Sequence, residues 1–280
     1  MRAPFGFAWW SASMDYTVAG NGGECKTGGA VEAPVPAGLY SGFKTETLDG
    51  RTMQAEDRVI HFCVELIHPG QPFNRTALQK LYFELSQTGA GYDSIEVSDT
   101  AQARFYSRRG RAQSVLLFLP DRALIIEEWA DIPMSDFEDR VRTVMPRLGE
   151  ARGIPGFMVH AATVRSTFAL TGEQDCRRFL IERVCRQEPR CMAAFNRPIA
   201  TAGLRYVFPE TAEHPGTLYV NIETFRHSNN EIFVEVKGIF GKQQVAPDAP
   251  ETVIGNLRVV RSFITGNIYP YLEQYDGAPE

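Results

Sequence analysis

The chain has 280 residues, of which 44% are hydrophobic and 22% charged, and its formal net charge is -5. These values are those of an ordinary globular protein, so they exclude a collagen-like, a coiled-coil or a wholly disordered chain. The length allows one large domain or two ordinary ones, each with a substantial core. Arginine greatly outnumbers lysine among the 29 basic residues, but no motif commits the protein to one chemistry.

The N-terminal 50 residues differ from the rest. They are rich in glycine and have no sustained hydrophobic period, which predicts a flexible or disordered segment over 1–50. A short strand or arm around 37–43 is the alternative, and Met14 and Met53 are alternative start positions.

The composition also bears on the compartment. No apolar run reaches the about 20 residues that cross a membrane, and the apolar N-terminal cluster is too short for a signal peptide. The number of cysteines, five, is odd, and no two of them are closely spaced in a recognisable pair. Both observations argue against a disulfide framework. We therefore expect a soluble cytoplasmic protein with no membrane partner.

The first predicted unit covers residues 51–152. Alternation over 58–67 predicts a strand, and Asn74 is placed to cap the helix that follows. Three strand-like segments come next, at about 101–108, 114–119 and 123–129. An apolar stripe from Phe137 to Leu148 then predicts a second helix, which Pro146 should kink or end.

The second predicted unit, 153–280, repeats this order after a Gly/Pro linker at 149–156. A long strand at 157–170 precedes a helix, and a final helix starts near Asp248. The strands between the two helices are predicted at 204–208, 218–225 and 232–240. Two spacings, Ser135-x-x-Glu138 and Thr171-x-x-Gln174, are typical of capping boxes at helix starts.

The element order predicts an α+β fold of two tandem strand–helix–three-strand–helix units. Hairpins make antiparallel sheets, and two helices per unit can cover one face of each sheet. The two units could join edge to edge, which would protect exposed strands. The uncovered face of the joined sheet is then a candidate binding surface.

One strand carries a polar set that could do chemistry. His61, Cys63 and Glu65 alternate and so share a face, where they could form a nucleophile with a base, or a metal site. An enzyme of this kind would need them to converge with Arg205 or Glu127 across the sheet. A semi-polar strand face is the simpler interpretation, so we assign no catalytic residue, metal ligand or cofactor.

The sharpest charge cluster is Arg104, Arg108, Arg109 and Arg111, at a turn between two strands. Arginine forks bind phosphate well, so this hairpin is a possible anion or nucleic-acid patch. The sequence pI near 5.7 argues against extensive phosphate neutralisation. Most other arginines lie beside acidic residues on helices.

The segment Ala202-Gly203-Leu204-Arg205-Tyr206 resembles a strand of a sporadically distributed family of uncharacterised bacterial proteins. Phe263-Ile264-Thr265 approximately matches the end of that family's C-terminal helix, so the resemblance covers about 58–275. It implies no activity and no catalytic residue.

Regular core patterning without a convergent catalytic set favours a non-enzymatic binding or regulatory protein. We expect it to act through protein–protein contacts, with a protein partner or as a homo-oligomer. An enzyme with a site between the units and a nucleic-acid-binding protein that uses the arginine hairpin are the alternatives.

Overall fold

The computed structural model describes residues 58–98, 102–241 and 244–276. The flexible segment predicted at 1–50 lies outside these residues. Within them, no helix combines the length and the apolar character needed to cross a membrane.

Nine strands of the described residues form one antiparallel sheet. They are β1 (Arg58–Ile67), β2 (Ser94–Ser98), β3 (Gln102–Arg109), β4 (Ala112–Phe118), β5 (Arg122–Glu128), β6 (Val159–Ala169), β7 (Gly203–Phe208), β8 (Thr217–Thr224) and β9 (Glu231–Phe240). Their order across the sheet is β2-β3-β4-β5-β1-β6-β9-β8-β7. The two halves of the chain meet where β1 pairs with β6, and β2 and β7 are the edges.

The longer helices of the described residues contribute buried side chains to the core beside this sheet. The helices of the described residues are α1 (Arg75–Ser86), α2 (Met134–Arg152), α3 (Cys176–Arg178), α4 (Pro189–Ala193), α5 (Pro250–Phe263) and α6 (Tyr269–Asp276). A π-helical segment, Phe179–Val184, continues α3, and a second one, Ile264–Ile268, joins α5 to α6. This is a mixed helix-and-strand fold with an antiparallel sheet, as the predicted α+β class requires.

Apart from the edge strands β2 and β7, each strand buries one face in the core, because successive side chains alternate between the faces of a sheet. On β1, Phe62, Val64 and Leu66 are fully buried and belong to the core, which also contains the buried faces of the helices. We call this side the helix face and the opposite side the outer face. Phe62 stacks on Phe137 of α2 at 5.2 Å between ring centroids, which ties the central strand to its covering helix.

The helix cap predicted at Asn74 is confirmed. Its side-chain oxygen accepts a hydrogen bond from the Ala77 N–H at 3.0 Å. The capping box predicted at Ser135 and Glu138 is wrong, because α2 starts at Met134 without a side-chain cap. Glu138 is buried instead against Arg258, whose Nε donates to its carboxylate at 2.8 Å.

The capping box predicted at Thr171 is also wrong. The Thr171 N–H and hydroxyl both donate to Asp276 Oδ2, at 2.7 and 2.8 Å, and so tie the end of β6 to α6. Asp175 caps α3 in its place, accepting from the N–H groups of Arg177 and Arg178. The tertiary carboxylate therefore replaces the local partner that the sequence spacing suggested.

Two other local expectations need correction. Of the two effects predicted for Pro146, ending the helix is wrong, because α2 continues to Arg152 and stops at Gly153, whose φ of 62° is the left-handed conformation of a helix C-terminus. The first half of the chain also has four strands after α1 rather than three, because β2 was not predicted.

Candidate functional site

The polar set on β1 lies on the outer face of the central strand. His61, Cys63 and Glu65 alternate with the buried core residues of β1, as their spacing requires. The polar contacts of His61 and Glu65 go to other strands, β5 and β9, rather than to one another. The three residues therefore belong to a row of cross-strand pairs.

His61 is buried although it is on the outer face, with 5% of its surface exposed. Its Nδ1 lies 3.1 Å from Glu128 Oε1 but is not aligned as a hydrogen bond. Burial lowers the pKa of His61 below the ordinary histidine value. The ring is therefore neutral at pH 7, when Glu128 is ionised.

Cys63 and Glu65 are also in settings that disfavour nucleophilic catalysis. Burial raises the pKa of the Cys63 thiol to about 12, so little thiolate exists at neutral pH. Glu65 accepts from Arg122 Nη1 at 2.6 Å and from Lys237 Nζ at 3.2 Å. These contacts satisfy the carboxylate and leave it a structural bridge between β1, β5 and β9.

The wider convergence that an enzyme would need is not formed. Glu127 alternates onto the helix face of β5, where it is buried and accepts from Ser114 Oγ at 2.7 Å. Arg205 shares a cross-strand row with His61 but belongs to β7, four strands away. Strands lie about 4.8 Å apart, so this separation is roughly 19 Å.

The predicted arginine patch is divided by the alternation of β3. Arg104 and Arg108 lie on the outer face, where both guanidinium groups lie over the ring of Tyr106. Arg104 also pairs with Glu96 of β2 at 2.7 Å. Arg109 and Arg111 instead face a cleft at the ends of β1, β4 and β5.

Two residues of that cleft were missed by the sequence reasoning. The sequence pattern places Trp129 only at the end of a predicted strand and Arg58 only at the start of another. The guanidinium of Arg111 lies over the Trp129 ring, 3.3 Å from its centroid. Only the pairing of β1 with β5 brings Arg58 near them, so no local signal could have identified the group.

The second prominent surface is the outer edge of β7. The Ala202 carbonyl accepts from the Thr224 N–H at 3.1 Å, which marks that pair as a hydrogen-bonded one. Antiparallel alternation then turns the main-chain groups of Leu204, Tyr206 and Phe208 toward β8. The main-chain groups of Gly203 and Val207 point outward, and none of the described strands pairs with them.

This edge is also apolar. Tyr206, Val207 and Phe208 are exposed by 36%, 52% and 41% of their surfaces. On the helix face, the ring of Phe208 contacts Phe263 of α5 at 5.1 Å between centroids. Val259, one helical turn before Phe263, is 40% exposed, so the apolar surface extends from β7 along α5. We call Tyr206, Val207, Phe208 and Val259 the β7 edge patch.

Comparison with protein-family models and with curated proteins finds no match to this chain. The resemblance of the 202–206 segment to a bacterial family thus remains an expectation. In the described part of the chain, no three His, Cys, Asp or Glu side chains are grouped so that they could hold a metal ion.

Proposed function

We propose that the protein is a non-enzymatic binding protein that acts through protein–protein contacts, and that its partner is a second copy of itself. The observation that carries this proposal is the β7 edge patch, which combines exposed apolar side chains with outward main-chain groups. Exposed strand edges with apolar surface readily pair with another chain, and natural proteins usually blunt them with charges or cover them.

The residue order of β7 suits pairing with itself. An antiparallel β7–β7 pair centred on Tyr206 would place the two Tyr206 rings side by side on the helix face. Phe208 would then lie opposite Leu204 of the second copy, and aromatic cross-strand pairs of this kind are stabilising. The same pairing about a twofold axis gives a closed dimer, because each copy uses the same surface.

The topology supplies a second argument. We infer that the halves 51–152 and 153–280 are tandem units, because their first strands pair at the sheet centre and each half ends with a helix. In the first half, β2 flanks β3 at the edge. In the second half, no described strand flanks β7. Strand β7 of a second copy would occupy this position.

The experiment is a measurement of mass in solution across a range of protein concentrations. The wild-type chain should form a dimer, and Val207→Lys should shift it toward monomer, because a charge would enter the pairing edge. Phe83→Lys is a matched control, since Phe83 is 68% exposed on α1, away from β7. Circular dichroism spectra of both variants should match the wild type, because both substitutions are at exposed positions.

Three results would contradict the proposal. A wild-type chain that is monomeric at all concentrations would exclude the self-association. A dimer that Val207→Lys leaves intact would exclude β7 as its interface. Equal loss of the dimer in Phe83→Lys would show a general effect of added charge.

A cytoplasmic location is part of this proposal. Among the described residues, Cys63, Cys176 and Cys185 are free thiols, and two of the three are only partly buried. Accessible thiols persist in reducing compartments and tend to form disulfides in oxidising ones.

A further inference from the structure

We propose that the cleft beside Trp129 binds the phosphate group of a small phosphate monoester. The cleft has a volume of about 250 Å³, and three arginines line it: Arg58, Arg109 and Arg111. The other described lining residues are Ile60, Ala112, Trp129, Ala130 and Asp131. This site is separate from the β7 edge patch, so neither proposal depends on the other.

An irregularity in the sheet forms the wall of the cleft. The pairing of β1 with β6 shifts register between Val59 and His61, which is a bulge at Ile60. The Ile60 carbonyl accepts from the Ala130 N–H at 3.2 Å instead of continuing the ladder. Bulges of this kind occur often beside functional sites, because they redirect side chains.

The backbone at Trp129 is strained. Its φ of 50° is in the left-handed region, which a bulky side chain rarely adopts. Such strain persists only where the surroundings hold it, and it is concentrated at ligand sites. Here the conformation turns the indole toward Arg111.

Trp129 orients the Arg111 guanidinium for binding. The ring covers one face of the guanidinium at 3.3 Å, while the N–H groups around its edge remain able to donate. The indole is itself held by Phe225 and His227, at 6.4 and 5.4 Å between centroids. An arginine fixed in this way loses little side-chain entropy when it binds an oxyanion.

The charge of the lining favours a dianion. No carboxylate of the described residues forms an ion pair with Arg58, Arg109 or Arg111, whereas Asp131 adds one negative charge. The lining therefore carries a formal charge of +2, from three arginines and one aspartate. A phosphate monoester carries about -1.5 to -2 at pH 7 and accepts bidentate hydrogen bonds from arginine.

The neighbouring charges do not cancel this excess. Glu127 and Arg140 are buried in an adjoining small cavity that shares Arg109 and Asp131 with the cleft. These two form an ion pair with each other, so together they add no net charge. Ile60, Ala130 and Trp129 offer an apolar wall to the organic part of the ester.

Titration calorimetry at about 0.15 M ionic strength, where the Debye length is about 8 Å, tests the site with three probes. These are inorganic phosphate, adenosine 5′-monophosphate, and an unphosphorylated single-stranded oligonucleotide that contains only phosphodiesters. We expect the first two to bind and the third to bind at least about tenfold more weakly per site. Because a hydrogen bond to a charged group contributes about 1.5–3 kcal/mol, Arg109→Glu and Arg111→Glu should each weaken phosphate binding tenfold or more.

The chain offers two informative variants for comparison. Arg108→Glu makes the same charge change as Arg109→Glu, but on the outer face of the sheet. The affinity of this variant for phosphate should stay within about twofold of the wild type. Asp131→Asn should tighten binding severalfold, because it removes the repelling carboxylate. Circular dichroism melting curves identify any variant that fails to fold, and Asp131→Asn tests the site by a gain that misfolding cannot produce.

Three outcomes would overturn the inference. Absence of binding by phosphate and the nucleotide at millimolar concentration would remove the site. Equal losses of phosphate affinity in Arg108→Glu and Arg109→Glu would indicate that phosphate is attracted by diffuse surface charge rather than bound in the cleft. Equal binding of the unphosphorylated oligonucleotide would show that the cleft does not select monoesters.

Discussion

Replacing His160 should change how the stability of the protein depends on pH. His160 is on the helix face of β6, with 2% of its surface exposed. It stacks on Phe240 at 5.3 Å between centroids, and its Nε2 lies 2.8 Å from the Asn256 side-chain nitrogen. That amide group donates, so the ring nitrogen accepts, which requires an unprotonated Nε2. Burial accordingly lowers the pKa of His160 to about 4.

The sign and size of the effect follow from proton linkage. An unfolded histidine has a pKa of about 6.5, so between about pH 6.5 and pH 4 the unfolded chain binds the proton that the folded chain refuses. The free energy of unfolding therefore falls as pH falls through this window, by about 1.4 kcal/mol for each pH unit. Above about pH 6.5 this contribution to stability is fully present, and acidification to about pH 4 removes about 3 kcal/mol of it.

Urea unfolding of the wild type and His160→Gln, measured from about pH 7 to about pH 4.5, tests this reasoning. The variant will be less stable at neutral pH because it loses the ring stack, but its free energy of unfolding should decline less with acidification. His61 and His68 also have pKa values lowered by burial, and they contribute equally to both proteins. Parallel pH profiles for the two proteins would refute the assignment of a neutral, buried His160.

Further substitutions test two polar contacts of the first half, one buried and one exposed. Arg140→Met should destabilise the protein by about 3–5 kcal/mol in urea unfolding, because it leaves the buried Glu127 carboxylate without its ionic partner. Adding Glu127→Gln to that variant should recover part of the loss, and a purely additive double variant would contradict this. Asn74→Ala should cost about 1 kcal/mol by the same assay, since it removes the acceptor for the Ala77 N–H, and no change would mean that the cap is not stabilising.

Much of the sheet could be predicted from the sequence because burial imposes a period of two on a strand. The alternation of β1 separates its core residues from His61, Cys63 and Glu65 without any tertiary information. Strand β2 was missed for a related reason. Its five residues, Ser94–Ser98, form an edge strand with little buried surface, so its pattern is weak.

The failed predictions share one physical cause. A capping box is a local pattern, but Glu138 pairs with Arg258 and Thr171 donates to Asp276, both more than one hundred residues away. A tertiary partner can satisfy the hydrogen bonds of a polar group as well as a local partner can. Sequence spacing does not show which of the two partners the group binds.

The same limit applied to the candidate sites. The arginine hairpin was visible as a charge cluster, yet only the register of β3 and β4 shows that Arg108 and Arg109 face opposite sides. Trp129 and Arg58 become neighbours of Arg109 through the pairing of β1, β4 and β5. The edge position of β7 likewise depends on the order of strands, which no single segment contains.

Disulfide trapping across the β7 edge tests the central proposal most directly. In the pairing centred on Tyr206, the two copies of this residue form a non-hydrogen-bonded pair, about 4.5 Å apart between Cα atoms. That distance suits a disulfide, so Tyr206→Cys should give a covalent dimer under mild oxidation. Phe83→Cys, at a more exposed position and with the same native thiols, should stay largely monomeric on a non-reducing gel. Equal yields of covalent dimer from the two variants, or none from Tyr206→Cys, would contradict the proposal.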